Sequence, residues 1–173
     1  MRLLVFGGSA SGKSRYAEAA AAALPGPRFY IATMRPWDDE CRARIDKHRR
    51  QRAGLGFATV EHYGDLRDLT LPARGTALLE CMGNLTANVL FGPGGPPENP
   101  LEAVTDGLRR LAEQCNHLIV VGNDVFAEDG GCDAGTRAYL DLLAGLHRRM
   151  ARDFDAVAEV VCGIPVAVKG AIP

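Results

Sequence analysis

The sequence lacks a charge excess of either sign: 20 Lys and Arg stand against 21 Asp and Glu, a formal net charge of −1 over 173 residues. That balance argues against a nucleic-acid coat, because non-specific DNA binding rests on a net basic surface. Also missing is any run near the roughly 20 apolar residues that a membrane span needs. The small-apolar stretch Ala17–Leu24 is interrupted by Glu18 and reads as helix. The N-terminus runs directly into a short strand with no cleavable apolar region, so no secretory signal is expected. The five cysteines, Cys41, Cys81, Cys115, Cys132 and Cys162, are odd in number and form no Cys-x-x-Cys pair. A disulfide framework and a zinc knuckle are thereby disfavoured, and reduced thiols in a cytoplasmic protein are expected. There is no internal repeat. The composition that remains, 47% hydrophobic and 24% charged, is that of one globular domain spanning 1–173.

Short apolar runs alternate with longer helical patterns. Strands are expected at Leu3–Phe6, Phe29–Thr33, Phe57–Glu61, Thr76–Cys81, His117–Val121, Ala156–Cys162 and Val166–Val168. Helices are expected at about Lys13–Leu24, Asp38–Arg52, Asn84–Phe91, Leu101–Cys115 and Thr136–Arg152. The Gly92–Pro97 run and the Gly- and Asp-rich stretch Asp124–Gly135 read as loops. Such alternation predicts an α/β fold, a mostly parallel sheet with helices on both faces, the framework on which a P-loop would sit. In sheets of this kind ligands bind beyond the carboxyl ends of the strands.

Gly7-Gly8-Ser9-Ala10-Ser11-Gly12-Lys13-Ser14 fits the P-loop spacing between a strand and a helix. Its glycines let successive backbone N–H groups face phosphate oxygens at a helix N-terminus. Lys13 is placed to reach the terminal phosphates, and the Ser14 hydroxyl to ligate Mg²⁺. A dinucleotide fingerprint is excluded, since Gly-x-Gly-x-x-Gly is absent. A P-loop protein also needs a carboxylate near the metal. Glu80, after Ala77-Leu78-Leu79, is the preferred candidate, its strand being read as the more continuously apolar of the two; Asp124, after Ile119-Val120-Val121, competes.

The helix over Asp38–Arg52 carries one large aliphatic residue, Ile45, and six of the residues from Arg42 to Arg52 are basic. A helix polar all round is either a solvent face or part of a charged site. Arg44 and Arg52 flank His48 at i−4 and i+4, on one stripe. Neighbouring cations disfavour imidazole protonation, leaving a ring nitrogen able to attack the α-phosphorus of a bound triphosphate. The same stripe is also what an exposed basic helix with an incidental histidine would present. His62, His117 and His147 show no comparable setting and are expected to be structural.

Taken in order, these segments resemble the bifunctional adenosylcobinamide kinase / adenosylcobinamide-phosphate guanylyltransferase family of cobalamin biosynthesis. The resemblance is carried by the glycine loop with Tyr16-Ala17-Glu18, Tyr30-Ile31-Ala32-Thr33, Asp39-Glu40, Arg44-Ile45 and His48. It continues through Thr59, Glu61, Leu78-Leu79-Glu80-Cys81, Asn88, Gly163-Ile164-Pro165 and Lys169. It implies phosphorylation of the corrinoid's aminopropanol hydroxyl from ATP or GTP, then transfer of GMP from GTP through a guanylylated histidine, which falls on His48. It further implies that Thr33, Met34, Glu61 and Glu80 contact nucleotide or metal, and that the chain assembles as a trimer. Departures from the family pattern are Ala10 in place of Arg, Phe57 in place of Trp, Asn123-Asp124-Val125-Phe126 followed by Ala127–Gly131, and Leu140 and His147-Arg148 in the long helix. Two rival readings follow from those departures: a small-molecule kinase without guanylyl transfer, and a non-catalytic nucleotide-binding regulatory paralogue.

Overall fold

The structure is a computed structural model that describes residues 1–126 and 133–173. The departure at Ala127–Gly131, and Cys132, lie outside the described residues. Among the described residues, seven strands form one sheet: β1 (Arg2–Phe6), β2 (Arg28–Ala32), β3 (Phe57–Glu61), β4 (Thr76–Glu80), β5 (His117–Val121), β6 (Ala156–Val161) and β7 (Ile164–Lys169). Their order is β3-β2-β4-β5-β1-β6-β7. Neighbours pair in parallel except β7, which runs antiparallel to β6 at one edge. The mostly parallel sheet expected from the sequence is therefore present.

Alternation along the strands divides the core between two faces. On one face Leu4, Ile31, Leu79 and Val120 meet α3 (Met82–Phe91), α4 (Pro100–Gln114) and α5 (Ala134–Asp153) through Leu85, Leu111, Leu143 and Leu146. On the other, Leu3, Val5, Leu78 and Ile119 meet α1 (Lys13–Ala22) through Ala17, Ala20 and Ala21. The alanines on α1 let its axis approach the strands closely, as a helix that must present its first turn at the end of β1 requires. Strand β4 is buried along its whole length, including Glu80 at its end. Leu79→Ala, at a fully buried position, should cost about 2–5 kcal/mol of stability, read as a lowered urea midpoint at unchanged slope.

The helix α2 (Asp39–Gln51) is different: it buries no residue of its own. Asp38 caps it, its carboxylate accepting from the Cys41 N–H at 2.7 Å, and Asp39 and Glu40 in the first turn oppose the positive end of the helix dipole. Its hold on the domain is therefore polar, and the contacts that make it lie in the site below.

Candidate functional site

The carboxyl ends of β1, β2, β4 and β5 open into a cleft of about 1260 Å³, lined by the glycine loop, α2 and the strand ends. The loop is shaped by backbone that tolerates little else. Gly12 has φ +93°, and a Cβ there would stand 3.1 Å from the Gly163 Cα; a Cβ on Gly7 would meet the Val160 carbonyl at 2.6 Å. The turn between β6 and β7 buttresses the loop, the Gly163 N–H donating to the Ser11 carbonyl at 2.8 Å. Within it, Lys13 is 9% exposed and its Nζ donates to the Gly8 carbonyl at 3.0 Å.

At the end of β4, Glu80 accepts a short hydrogen bond from the Ser14 hydroxyl through Oε1. Its other oxygen, Oε2, is buried without a partner. Burial pushes the Glu80 carboxyl up, and Ser14, Lys13 and Arg52 pull it back. Of the two strand-end carboxylates the sequence offers, Glu80 is the one joined to Ser14. Asp124 lines the cleft from the end of β5, with its backbone N–H donating to the Gly7 carbonyl at 3.0 Å. A half-buried serine hydroxyl beside a carboxylate with an unused oxygen is an all-oxygen donor pair, which suits Mg²⁺.

His48 comes down onto this pair from α2, its Nδ1 3.9 Å from Glu80 Oε1. That nitrogen is buried and unpartnered, while the side chain as a whole is 24% exposed to the cleft. Burial first, then Arg44, Arg52, Lys47 and Lys13, hold the imidazole below its ordinary value. The contact is thus between a neutral ring and a carboxyl group rather than an ion pair.

Three polar pins fix α2 beside the loop. Gln51 Nε2 donates to Glu18 Oε2 at 3.1 Å. Arg52 donates to the Thr59 hydroxyl at 3.0 Å and stacks on the Tyr30 ring at 3.8 Å. Arg49 pairs with Glu61 at 2.9 Å, and Glu61 also accepts from the Tyr63 hydroxyl at 2.9 Å. Burial and the charge of Glu80 push Glu18 up to about 7, against Gln51 and Arg52, which lower it.

The structure therefore brings together Lys13, Ser14, Glu80, His48, Arg44, Arg52, Met34 and Glu61 around one cleft, with Ser9, Ala10 and Gly12 on the loop. Gly7, Gly8 and Ser11 shape that loop from behind. Thr33 does not join them. It is fully buried, and its hydroxyl donates to the Cys81 carbonyl at 2.9 Å, tying the end of β2 to β4. Its side chain holds the strand end and does not line the cleft. Arg52 also differs from the exposed cation its stripe suggests, being 7% exposed and spent on Tyr30 and Thr59.

Sequence reasoning did not assign a role to Glu18, Gln51 or Tyr30. For Glu18 a signal existed, since it lies four residues after Ser14 on the same helix face and is the only acidic residue of α1.

Elsewhere, His62 Nε2 donates to the Asp65 carbonyl at 2.8 Å, and His117 Nδ1 stands 3.3 Å from the terminal amine. His147 is held down to about 4 by burial against Phe6 and Phe126, only partly countered by Asp124. A histidine buried neutral binds a proton in the unfolded chain before it does so in the folded one. Stability is then full above the unfolded value and falls as pH drops from about 6.5 toward 4, by on the order of 2–3 kcal/mol. Urea unfolding of the wild type and His147→Leu at pH 7 and pH 4.5 checks this: the loss should be smaller in the variant.

Comparison with known proteins accords with this geometry. A family profile described as cobinamide kinase / cobinamide phosphate guanyltransferase matches residues 3–168. The bifunctional adenosylcobalamin biosynthesis protein CobU of Salmonella typhimurium is 34% identical over 185 residues, covering 98% of this chain and 100% of that protein. The protein of the same name from Escherichia coli is 32% identical over 186 residues, with 98% and 100% covered. The bifunctional adenosylcobalamin biosynthesis protein CobP of Pseudomonas aeruginosa is 31% identical over 179 residues, with 98% of each chain covered. With a profile spanning nearly the whole chain and full-length relatives above 30% identity, the chain belongs to the cobinamide kinase / cobinamide phosphate guanyltransferase family.

Proposed function

We propose that this chain phosphorylates adenosylcobinamide from ATP or GTP, and then transfers GMP from GTP, through His48, to adenosylcobinamide phosphate. The products of the second step are adenosylcobinamide-GDP and pyrophosphate. The observation that carries this reading is the position of His48: a neutral imidazole stands against Glu80, which itself accepts from Ser14 of the phosphate loop. A kinase without guanylyl transfer has no use for an imidazole there.

In the first step the loop amides and Lys13 hold the triphosphate, and catalysis is positional and electrostatic. The corrinoid hydroxyl oxygen bonds to the γ-phosphorus as the bond to the β-phosphate oxygen breaks. In the second, the His48 Nε2 lone pair forms a bond to the α-phosphorus of GTP while pyrophosphate leaves. The burial of Nδ1 toward Glu80 supports attack by the other ring nitrogen. A phosphate oxygen of the corrinoid then takes the GMP group, breaking the N–P bond and restoring the imidazole. Lys13 and Arg44 line the path along which negative charge builds up on the triphosphate. Ser14 and Glu80 would hold Mg²⁺, whose charge screens the phosphate oxygens when it is bound.

Assembly as a homotrimer and a cytoplasmic location belong to the same reading. Val161, Ile164, Val166 and Val168 are exposed on the β6–β7 hairpin, at an edge of the sheet, as a surface covered by another copy would be. Cys41, Cys81, Cys115 and Cys162 are unpaired, and no helix among the described residues is long and apolar enough to cross a membrane. Incubation with adenosylcobinamide, GTP and Mg²⁺ tests the function: adenosylcobinamide phosphate should appear first and adenosylcobinamide-GDP with pyrophosphate second. Phosphorylated corrinoid as the sole product would establish the kinase-only alternative, and no corrinoid product at all the regulatory one.

A further inference from the structure

Three ligating atoms meet beneath the phosphate loop with nothing to bind. Glu18 Oε1, Glu80 Oε2 and His48 Nδ1 are each buried and without a hydrogen-bond partner. Glu18 is 2% exposed and Glu80 8%, and ligand atoms of the three residues lie within 4.8 Å of one another. The donors that could satisfy them are engaged elsewhere: Lys13 on the Gly8 carbonyl, Arg52 on Thr59 and Tyr30, and Gln51 on the other oxygen of Glu18. Two carboxyl groups facing each other in a dry site disfavour each other's ionisation, unless a cation lies between them.

We infer that Glu18, Glu80 and His48 Nδ1 form a site for one divalent transition-metal ion of the zinc or cobalt type in the nucleotide-free enzyme. The imidazole sets the class of ion. Mg²⁺ and Ca²⁺ take oxygen ligands, whereas a mixed carboxylate–imidazole set suits Zn²⁺ and its neighbours. Bonds of about 2.0–2.2 Å around such an ion place tetrahedral donors roughly 3.3 Å apart. The ligand atoms of the three residues, within 4.8 Å of one another, need a closing movement of the side chains to reach that spacing.

The site is distinct from the Ser14–Glu80 position described for Mg²⁺, but it shares Glu80 with it, so the ion and the Mg²⁺–nucleotide exclude each other. It also has a chemical consequence, which rests on His48 being the nucleophile. With the Nδ1 lone pair on the metal, the ring proton sits on Nε2, and no lone pair remains for the α-phosphorus. The ion is therefore an inhibitor of guanylyl transfer, relieved by Mg²⁺–GTP.

The test is a titration of the metal-stripped, nucleotide-free chain with Co²⁺, followed by visible absorption, and with Zn²⁺, followed by calorimetry. One ion per chain is expected, with no thiolate charge-transfer band. Affinity should fall about 10-fold or more in Glu18→Gln and in His48→Ala, and Mg²⁺–GTP should release the bound Co²⁺. His48 sits on a helix that buries no residue, so its variant tests ligation without loss of the fold. Absence of binding, a thiolate band placing the ion on cysteine, or full binding retained in both variants overturns the site. Binding as expected, with GTP labelling untouched by Zn²⁺ at Mg²⁺–GTP concentrations low enough to leave the ion bound, upholds the metal site and removes His48 as the nucleophile.

Discussion

Lys13→Ala should lower the turnover of both half-reactions by about 10²–10³-fold. The two steps attack different phosphorus atoms of the triphosphate but share one loop, and Lys13 is the cation built into it. Its ammonium is nearly buried and lies against the Gly8 carbonyl, where no water-screened surface lysine could replace it. Because its charge acts where negative charge develops, the loss should fall mainly on kcat. Affinity for GTP should weaken less, since the loop amides remain. Steady-state kinetics of each step and calorimetry with GTP separate the two effects. A variant within twofold of wild type in both steps would remove the glycine loop from the mechanism.

His48→Ala should separate the two activities. Guanylyl transfer would lose the nucleophile proposed for it and should fall by about 10⁴-fold or more, while phosphorylation of the corrinoid continues, because Lys13, Ser14 and Glu80 are untouched. The substitution removes a partly exposed ring from a helix held by Gln51, Arg49 and Arg52, so the fold should survive it. Adenosylcobinamide phosphate should then accumulate as an end product, which chromatography of the corrinoids detects. Unchanged production of adenosylcobinamide-GDP would place the nucleophile elsewhere.

The parts of this site that depend on local pattern were legible in the sequence. The glycine loop, the Arg44–His48–Arg52 stripe and the apolar run ending at Glu80 each declare themselves within a few residues. What the sequence could not show depends on which strands become neighbours. Thr33 follows β2 as a nucleotide contact would, but β2 pairs with β4, and its hydroxyl is taken by the Cys81 carbonyl. Glu18 interrupts the apolar stretch of α1, and its burial follows from α2 lying over it through Gln51. The expected helix start at Asn84 fell two residues late, since Gly83 argues against helix. The glycine is there because a Cβ would meet Asn123 Oδ1 at 2.6 Å and the Tyr139 hydroxyl at 2.9 Å. Strand β7 is longer than the expected Val166–Val168 for a related reason. Pro165 counts against a strand interior, yet it is tolerated where β7 forms the sheet edge.

Incubating the protein with GTP labelled at the α-phosphate, in parallel with GTP labelled at the γ-phosphate, tests the central claim most directly. The account predicts a protein adduct from the α-label alone, labile to acid and stable to alkali as a phosphoramidate is, absent from His48→Ala and discharged by adenosylcobinamide phosphate. An α-labelled adduct that persists in His48→Ala, or no adduct in the wild-type protein with Mg²⁺ present, would contradict it.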